Sequence, residues 1–465
     1  MKRMWLLLLC VMLGVLPTTS ASAQSAPPWL QVWLLRGDHL TVEYRDAAGN
    51  AHAAYRLATD MFNWPEQAGG RLFSTSLENI QVFYPYTGRI TVYHTAVEGL
   101  TTDENIYVLQ TIAPHPDGTA YAYGIMLHHA DWEQPAASYV YFATTGAGDD
   151  RLVFEQATES ISAISPLAWS DTGNILLLHE MPVGIGGYIL FWTYQNVVAY
   201  DTNSGYQMPL GSTDGVSGDV GMLAELTFDE QGGPPALNTL PIRGEVAPAA
   251  YPLPPLAEEP GDGGNVMFSP SGTYIAYQVA RVNPEHEKFW TVVVTVATGE
   301  SRVVLEDEAT GYDLRYGHIG GWLDDTTLVV GSRADASSAV IDVTSGALLR
   351  EVPGVFMGYA TGITDTAGFA PSAAAYVQCP GAPVSRLQPD YRGRITYTDG
   401  TMTNVRQAPT VTAAIIGSMP EGESFIAIAG PICADGYAWW NVEFDNGPIG
   451  FVAEGDASAY YLEPW

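Results

Sequence analysis

The chain has 465 residues, of which 47% are apolar, enough for two or more domains with hydrophobic cores. It carries 19 lysine and arginine residues against 51 aspartate and glutamate residues, for a formal net charge of −32. A surface of this charge repels the phosphates of nucleic acids and the headgroups of anionic membranes, so neither is expected as a partner.

Residues 1–23 have the pattern of a secretory signal peptide. Lys2 and Arg3 form a positive start, residues 4–16 are a short apolar run, and residues 21–23 offer a small-residue cleavage site. The alternative, a membrane anchor, needs about 18 apolar residues, more than this run provides. We therefore expect a secreted, extracellular or cell-envelope protein with no membrane span after signal cleavage.

Residues 29–376 are rich in short strand-like runs bounded by glycine, proline, aspartate and asparagine, and helical patterns are nearly absent. The run FSPSGTYIAY, residues 268–277, combines a turn at Pro270 and Gly272 with an alternating strand. Related turns occur further along the chain. Aligned on Ser269, these copies fall at His115, Ser170, Asp229 and Leu323.

Repeats of roughly 40–50 residues with about four strands each are typical of a β-propeller. Two earlier segments, about 29–60 and 70–96, have blade-like strands without the turn. The sequence therefore predicts an all-β chain whose N-terminal part is a propeller of about seven four-stranded blades, within a range of six to eight.

The run FSPSGTYIAY and the outer-strand sequence VATGE that follows it resemble the TolB-type (WD40-like) propeller repeat. The resemblance is good over residues 268–306, and weaker copies lie at 113–155 and 168–210. It implies a propeller blade and no particular reaction; we separately expect a propeller face to bind a protein or glycan partner.

The composition changes after residue 376. Residues 377–399 read as a linker, and residues 400–465 contain about five short strands, at 404–406, 415–419, 424–429, 438–444 and 449–453. This last part resembles the bacterial SH3 domain, SH3b, in four pieces that keep the family's order: Asn404-Val405-Arg406 with Pro409, Ile416-Gly417 with Pro420-Glu421-Gly422, Trp439 with Val442, and Gly450-Phe451-Val452. The resemblance implies a small SH3-like barrel.

SH3b domains typically hold cell-wall peptides or other ligands on exposed aromatic side chains. Trp439 and Trp440 are adjacent on one strand and face opposite ways, so we expect Trp440 in the core and Trp439 at the surface with Tyr437. The alternative is that both tryptophans pack the core of a small barrel. The expected ligand-binding residues are Tyr437, Trp439, Asn441, Phe451 and Tyr460.

Two cysteines remain after signal removal, Cys379 and Cys433. An even number in an exported protein predicts a disulfide, which here would hold the linker to the C-terminal module.

No nucleophile or metal-ligand motif stands out, and Ser217 in GVSGD lacks the last glycine of a nucleophile elbow. We expect no catalytic residues, metal or cofactor. The favoured function is a non-catalytic binding or scaffold protein, tethered by its C-terminal module to a cell-wall peptide or glycan or to another envelope protein. The alternative is a polysaccharide hydrolase or lyase that uses carboxylates in the central funnel of the propeller.

Overall fold

The computed structural model of the chain describes residues 28–36, 40–57, 65–75, 79–96, 105–129, 137–145, 150–157, 162–182, 191, 193–228, 235–242, 247–281, 287–309, 318–331, 337–369, 379–387, 392–398 and 400–464. Within these residues, the strands up to residue 359 form seven four-stranded sheets, and the later strands form one sheet of seven. The predicted signal peptide lies outside the described residues.

The strands of the first four sheets follow one another along the chain. They are β1 (Gln31–Arg36), β2 (Leu40–Arg45) and β3 (Ala51–Leu57); β4 (Glu66–Ala68), β5 (Arg71–Thr75), β6 (Asn79–Tyr84) and β7 (Arg89–His94); β8 (Asn105–Pro114), β9 (Ala120–His129), β10 (Ala137–Thr144) and β11 (Arg151–Ala157); and β12 (Ser162–Trp169), β13 (Ile175–Pro182), β14 (Tyr194–Asp201) and β15 (Gln207–Thr213).

The next three sheets have the same plan. They are β16 (Gly215–Val216), β17 (Met222–Thr227), β18 (Ala236–Pro241) and β19 (Ala249–Pro252); β20 (Asp262–Phe268), β21 (Tyr274–Arg281), β22 (Glu287–Thr295) and β23 (Glu300–Ala309); and β24 (His318–Asp324), β25 (Thr327–Gly331), β26 (Ser337–Asp342) and β27 (Ala347–Pro353). A last strand, β28 (Val355–Tyr359), returns to the first sheet.

The seven sheets form a closed ring. Strand β28 pairs antiparallel with β1, so the first blade contains both ends of the propeller chain. The inner strands β28, β4, β8 and β12 contact one another in turn, as do β16, β20, β24 and β28. A backbone hydrogen bond from Asp171 N to Gly218 O (2.8 Å) joins the fourth blade to the fifth. The described residues thus confirm a propeller of seven four-stranded blades.

Burial follows strand position within a blade. Strand β21 is buried on both faces because blades pack on each side of it, whereas the outer strand β27 is exposed along most of its length. Tyr277 and Trp290 are among the largest buried side chains. Burying a Val, Leu, Ile, Phe or Met side chain contributes roughly 1.5–3 kcal/mol, so the buried strands contribute more hydrophobic stabilisation than the exposed outer strands.

The predicted turn repeat has the same hydrogen bonds in two blades. In each, the first residue of the turn accepts a bond from a glycine three residues on, Gly173 N to Ser170 O and Gly272 N to Ser269 O, both 2.8 Å. The serine hydroxyls also accept a bond from the amide five residues on, at 3.2 Å for Ser170 and 3.1 Å for Ser269. The His115 turn shares the backbone bonds. These repeated contacts explain why the sequence signal recurs.

Asp229 lies outside the described residues, but its position between β17 and β18 shows that the copy aligned there is wrong. Residues after 227 connect β17 to β18, whereas the turn from the inner strand to the second strand of this blade starts at Ser217. Ser217 N donates to Met222 O (2.9 Å) and Met222 N donates to the Ser217 hydroxyl (2.9 Å), as in the other copies. Val220, with φ 55°, takes the place of the usual glycine. Ser217 therefore closes a turn and is not a nucleophile elbow.

The C-terminal sheet contains the five predicted strands and two more. Its strands are β29 (Arg392–Ile395), β30 (Thr403–Arg406), β31 (Ile415–Met419), β32 (Ser424–Ala434), β33 (Tyr437–Phe444), β34 (Ile449–Ala453) and β35 (Leu462–Pro464), in the order β31-β30-β34-β33-β32-β29-β35. Strand β29 lies in the segment predicted to be a linker and pairs with both β32 and β35. The folded module therefore begins before residue 400.

The predicted disulfide is confirmed, and it joins Cys379 to Cys433 on β32 with an S–S distance of 2.00 Å. It ties residues 379–387 to the sheet.

A buried carboxylate fixes the same segment. Glu454 is fully buried and accepts hydrogen bonds from Ser385 Oγ (2.5 Å), Leu387 N (3.1 Å), Trp440 Nε1 (2.8 Å) and Arg386 N. Burial raises the pKa of this carboxyl, and the hydrogen bonds oppose that shift. The carboxyl is thus the common acceptor for the sheet core and the segment that precedes it.

Candidate binding sites

The C-terminal module has a cavity of about 550 Å³. This volume is within the range of small-ligand sites, about 300–1,000 Å³. Aromatic and apolar side chains form one part of the wall, and hydroxyl and charged groups form the rest. The lining residues include Tyr437, Trp439, Tyr461, Met402 and Val411, and the polar residues Thr396, Thr398, Thr401, Thr403, Asn404, Arg406, Asp456 and Ser458. The cavity can offer both ring contacts and hydrogen bonds to a ligand.

Two predicted ligand-binding residues, Tyr437 and Trp439, lie in this wall. Their ring centroids are 5.8 Å apart in an edge-to-face arrangement. Trp439 faces away from the core residue Trp440, as predicted, but it is only 2% exposed and is not the surface residue that the sequence suggested. Its indole N–H donates to Ala434 O (3.0 Å), and Tyr437 covers part of its ring. Trp439 therefore forms the back of the cavity.

The other three predicted residues lie elsewhere. Asn441 and Phe451 pair across β33 and β34, on the same sheet face as Trp439 but outside the cavity lining. Tyr460 turns toward the segment before the sheet, where its hydroxyl donates to Val384 O (2.8 Å) and Arg386 lies 3.5 Å from its ring centroid. Its neighbour Tyr461 occupies the cavity wall instead.

The polar wall has fixed charges at neutral pH. Asp456 accepts hydrogen bonds from Ser458 Oγ (2.6 Å) and Tyr461 Oη (2.5 Å), and these bonds hold the pKa of the carboxyl well below its usual range. Burial and the bond to Asp456 raise the pKa of Tyr461 to about 12. Arg406 Nη1 donates to Ala413 O (2.8 Å). The cavity thus presents one anionic and one cationic group.

The propeller channel contains a second cavity, of about 780 Å³. The inner strands β4, β8, β12 and β28 supply most of its wall. Its wall includes Glu66, Trp169, His179, Met181, Tyr194 and Tyr359. Trp169 Nε1 donates to Ala113 O of the preceding blade (2.9 Å), which holds the indole at the channel. This volume is also large enough for a small ligand.

His179 is a channel residue for which the sequence offered no signal. It is 4% exposed, packs edge-to-face against Tyr194 at 5.1 Å, and its Nδ1 has no hydrogen-bond partner among the described residues. Ser165, opposite it in the β12–β13 register, also has a buried Oγ without a partner there. Burial lowers the pKa of His179 to about 4, so the imidazole is neutral at neutral pH.

Acid should therefore destabilise the propeller through His179. The unfolded pKa is about 6.5 and the folded pKa about 4, so the stability that neutral His179 contributes is complete above pH 6.5 and is lost as the pH falls toward 4. We expect His179→Gln to remove up to about 3 kcal/mol of this pH dependence. Urea unfolding at several pH values measures it, with the exposed His52→Gln as control. Parallel curves for His179→Gln and wild type would contradict the assignment.

A third cavity, of about 250 Å³, lies across the channel and shares Trp169 and Tyr194 with the second. Asp214 and His318 are among its lining residues. Burial raises the pKa of Asp214 and of its neighbours Glu225 and Asp262, and repulsion between the carboxylates adds to the shift for Asp214 and Glu225. These three carboxyls interact at the fifth and sixth blades, and Asp214 is the one that lines the cavity.

Comparisons with known proteins give only distant likenesses. No protein-family model and no curated protein matches the chain. Among solved structures, a Mycobacterium tuberculosis puromycin-hydrolyzing peptidase has 17% identity and a TM-score of 0.36, over 72% of this chain and 54% of its own. Kuenenia stuttgartiensis hydrazine synthase has 14% identity and a TM-score of 0.35, over 60% of this chain and 76% of its own. An oligogalacturonate lyase in complex with manganese has 10% identity and a TM-score of 0.31, over 68% of this chain and 70% of its own. The blade assignment rests on the strand pairing instead.

In the part of the chain that the structure describes, no helix has the length and apolar character to span a membrane.

Proposed function

We propose that the chain is an exported binding protein whose C-terminal module is an SH3b-like domain that holds a cell-wall peptide or glycan. The observation that supports this most is the cavity with Tyr437, Trp439 and Tyr461 in its wall and hydroxyl groups around them. Aromatic rings combined with a few placed polar groups are typical of ligand-binding pockets. The propeller then carries a second partner, a protein or a glycan, on its channel or faces.

Retention of the full chain on isolated peptidoglycan tests the tether. We expect wild type to be retained and Tyr437→Ala to bind about tenfold more weakly, because the substitution removes an aromatic wall without opening the sheet core. Tyr206→Ala is the matched control, since Tyr206 is 67% exposed and lies on the propeller. No retention of the wild type, or equal retention of wild type and Tyr437→Ala, would reject the tether.

One observation favours the alternative, a polysaccharide hydrolase or lyase. Carboxylic acids with raised pKa values are what a general acid requires, and Asp214 at the channel has this property, as do its neighbours Glu225 and Asp262. Release of reducing ends or unsaturated products from acidic and neutral polysaccharides, and its loss in Asp262→Asn, would support the enzyme. If none of these polysaccharides yields a product, the hydrolase or lyase alternative is rejected.

A further inference from the structure

The walls of the two channel cavities are largely apolar, and they include aromatic rings and two carboxylates. The lining residues include Glu66 and Asp214 and the rings of Trp169 and Tyr194, and no lysine or arginine is found among the lining residues that the structure describes. The net charge of the whole chain is −32. A concave wall of this kind, in a protein of this charge, attracts cations and disfavours anions.

Asp214 is the group best placed to bind a cation. It is 4% exposed, and its Oδ2 accepts a hydrogen bond from Leu226 N (2.7 Å). Its Oδ1 has no hydrogen-bond partner among the described residues. Buried polar atoms are nearly always hydrogen-bonded, so Oδ1 is an acceptor for a donor that enters the channel.

The surroundings of Asp214 favour a positively charged donor. Burial, and to a smaller extent repulsion from Asp262, raise the pKa of the Asp214 carboxyl, while hydrogen bonds from Leu226 N and the Thr193 side chain lower it. A bound cation would offset the repulsion and stabilise the ionised carboxylate. His179 does not oppose this, because burial keeps its pKa at about 4 and its ring uncharged.

The spacing of the ligands favours an organic cation over a metal ion. No group of three or more His, Cys, Asp or Glu side chains in the described ranges is close enough together to hold a metal. An ammonium group needs only one carboxylate acceptor, and aromatic faces stabilise it further. Trp169 and Tyr194 line the same 250 Å³ cavity as Asp214.

We propose that the propeller channel binds a primary ammonium group, hydrogen-bonded to Asp214 Oδ1 with the rings of Trp169 and Tyr194 beside it. Two sources share this chemistry, a free small amine and the lysine side chain of a protein partner. The site is separate from the C-terminal cavity, so its test does not depend on that cavity.

Calorimetric titration of the full chain tests the proposal with two probes, 1,5-diaminopentane and a blocked tripeptide with one lysine. We expect at least one probe to bind, and Asp214→Asn to weaken it about tenfold or more, because a charge-assisted hydrogen bond is lost. Glu155→Gln removes the same charge from an exposed outer strand and should leave binding unchanged. Which probe binds identifies the source of the amine.

Three results would overturn the proposal. They are no binding of either probe to wild type, equal binding of the uncharged 1,5-pentanediol, and unchanged affinity in a folded Asp214→Asn variant. If circular dichroism shows that Asp214→Asn does not fold, Tyr194→Leu takes its place, because it removes one of the two rings beside the ammonium group and should weaken binding severalfold. Unchanged affinity in that variant counts against the proposal in the same way.

Discussion

Glu454→Ala should unfold the C-terminal module at conditions where the wild type is folded. The substitution removes the acceptor of four hydrogen bonds, from Ser385, Arg386, Leu387 and Trp440, and leaves those donors buried. Unsatisfied buried groups cost about 1–3 kcal/mol each, and breaking a buried charged network costs about 3–5 kcal/mol. We expect a loss in the free energy of unfolding of about 3–5 kcal/mol.

Hydrogen exchange of peptides from β32–β34 during urea unfolding measures this loss separately from the propeller. Glu454→Gln should lose less, because the amide oxygen still accepts part of the network. Glu443→Ala is the control, since Glu443 is exposed on the same module and its removal should change stability by less than about 0.5 kcal/mol. Similar losses in Glu454→Ala and Glu443→Ala would show that the network is not important for stability.

The second large effect is expected from the double variant Cys379→Ser, Cys433→Ser. The disulfide closes a loop between residues 54 positions apart, and the chain-entropy model assigns roughly 4 kcal/mol to a loop of this length. The released segment also includes Ser385 and Leu387, so the Glu454 network should weaken with it.

The same exchange experiment measures the disulfide effect, and reduced wild type should reproduce the double variant. A loss below about 1 kcal/mol in both would mean that the segment remains docked through Glu454 alone.

The propeller could be predicted from the sequence because its turn depends on local chemistry. Ser170 and Ser269 make the same bonds to amides five residues on, and a glycine in the left-handed conformation follows each. The turn of the fifth blade was not recognised in the sequence because Val220, and not a glycine, adopts the left-handed conformation there. The alignment therefore selected a later turn. Ser217 lies 47 residues after Ser170 and 52 before Ser269, so the true spacing is more regular than the sequence suggested.

The candidate sites could be predicted only in part. Strand alternation correctly gave opposite faces to Trp439 and Trp440, but it could not show that Trp439 is covered. Tyr460 and Tyr461 precede β35 and lie outside the regular strands, so alternation could not show that Tyr461 lines the cavity while Tyr460 bonds to Val384 O. His179 and Asp214 gave no signal because contacts between separate strands create their environment, within one blade for His179 and between blades for Asp214.

The binding function of the C-terminal module is tested most directly by a crystal structure of the full chain grown with a soluble peptide fragment of the cell wall. The account predicts that the fragment occupies the 550 Å³ cavity, in contact with Tyr437 and the back wall at Trp439. A fragment bound anywhere else, or an empty cavity at concentrations that saturate binding in solution, would contradict it.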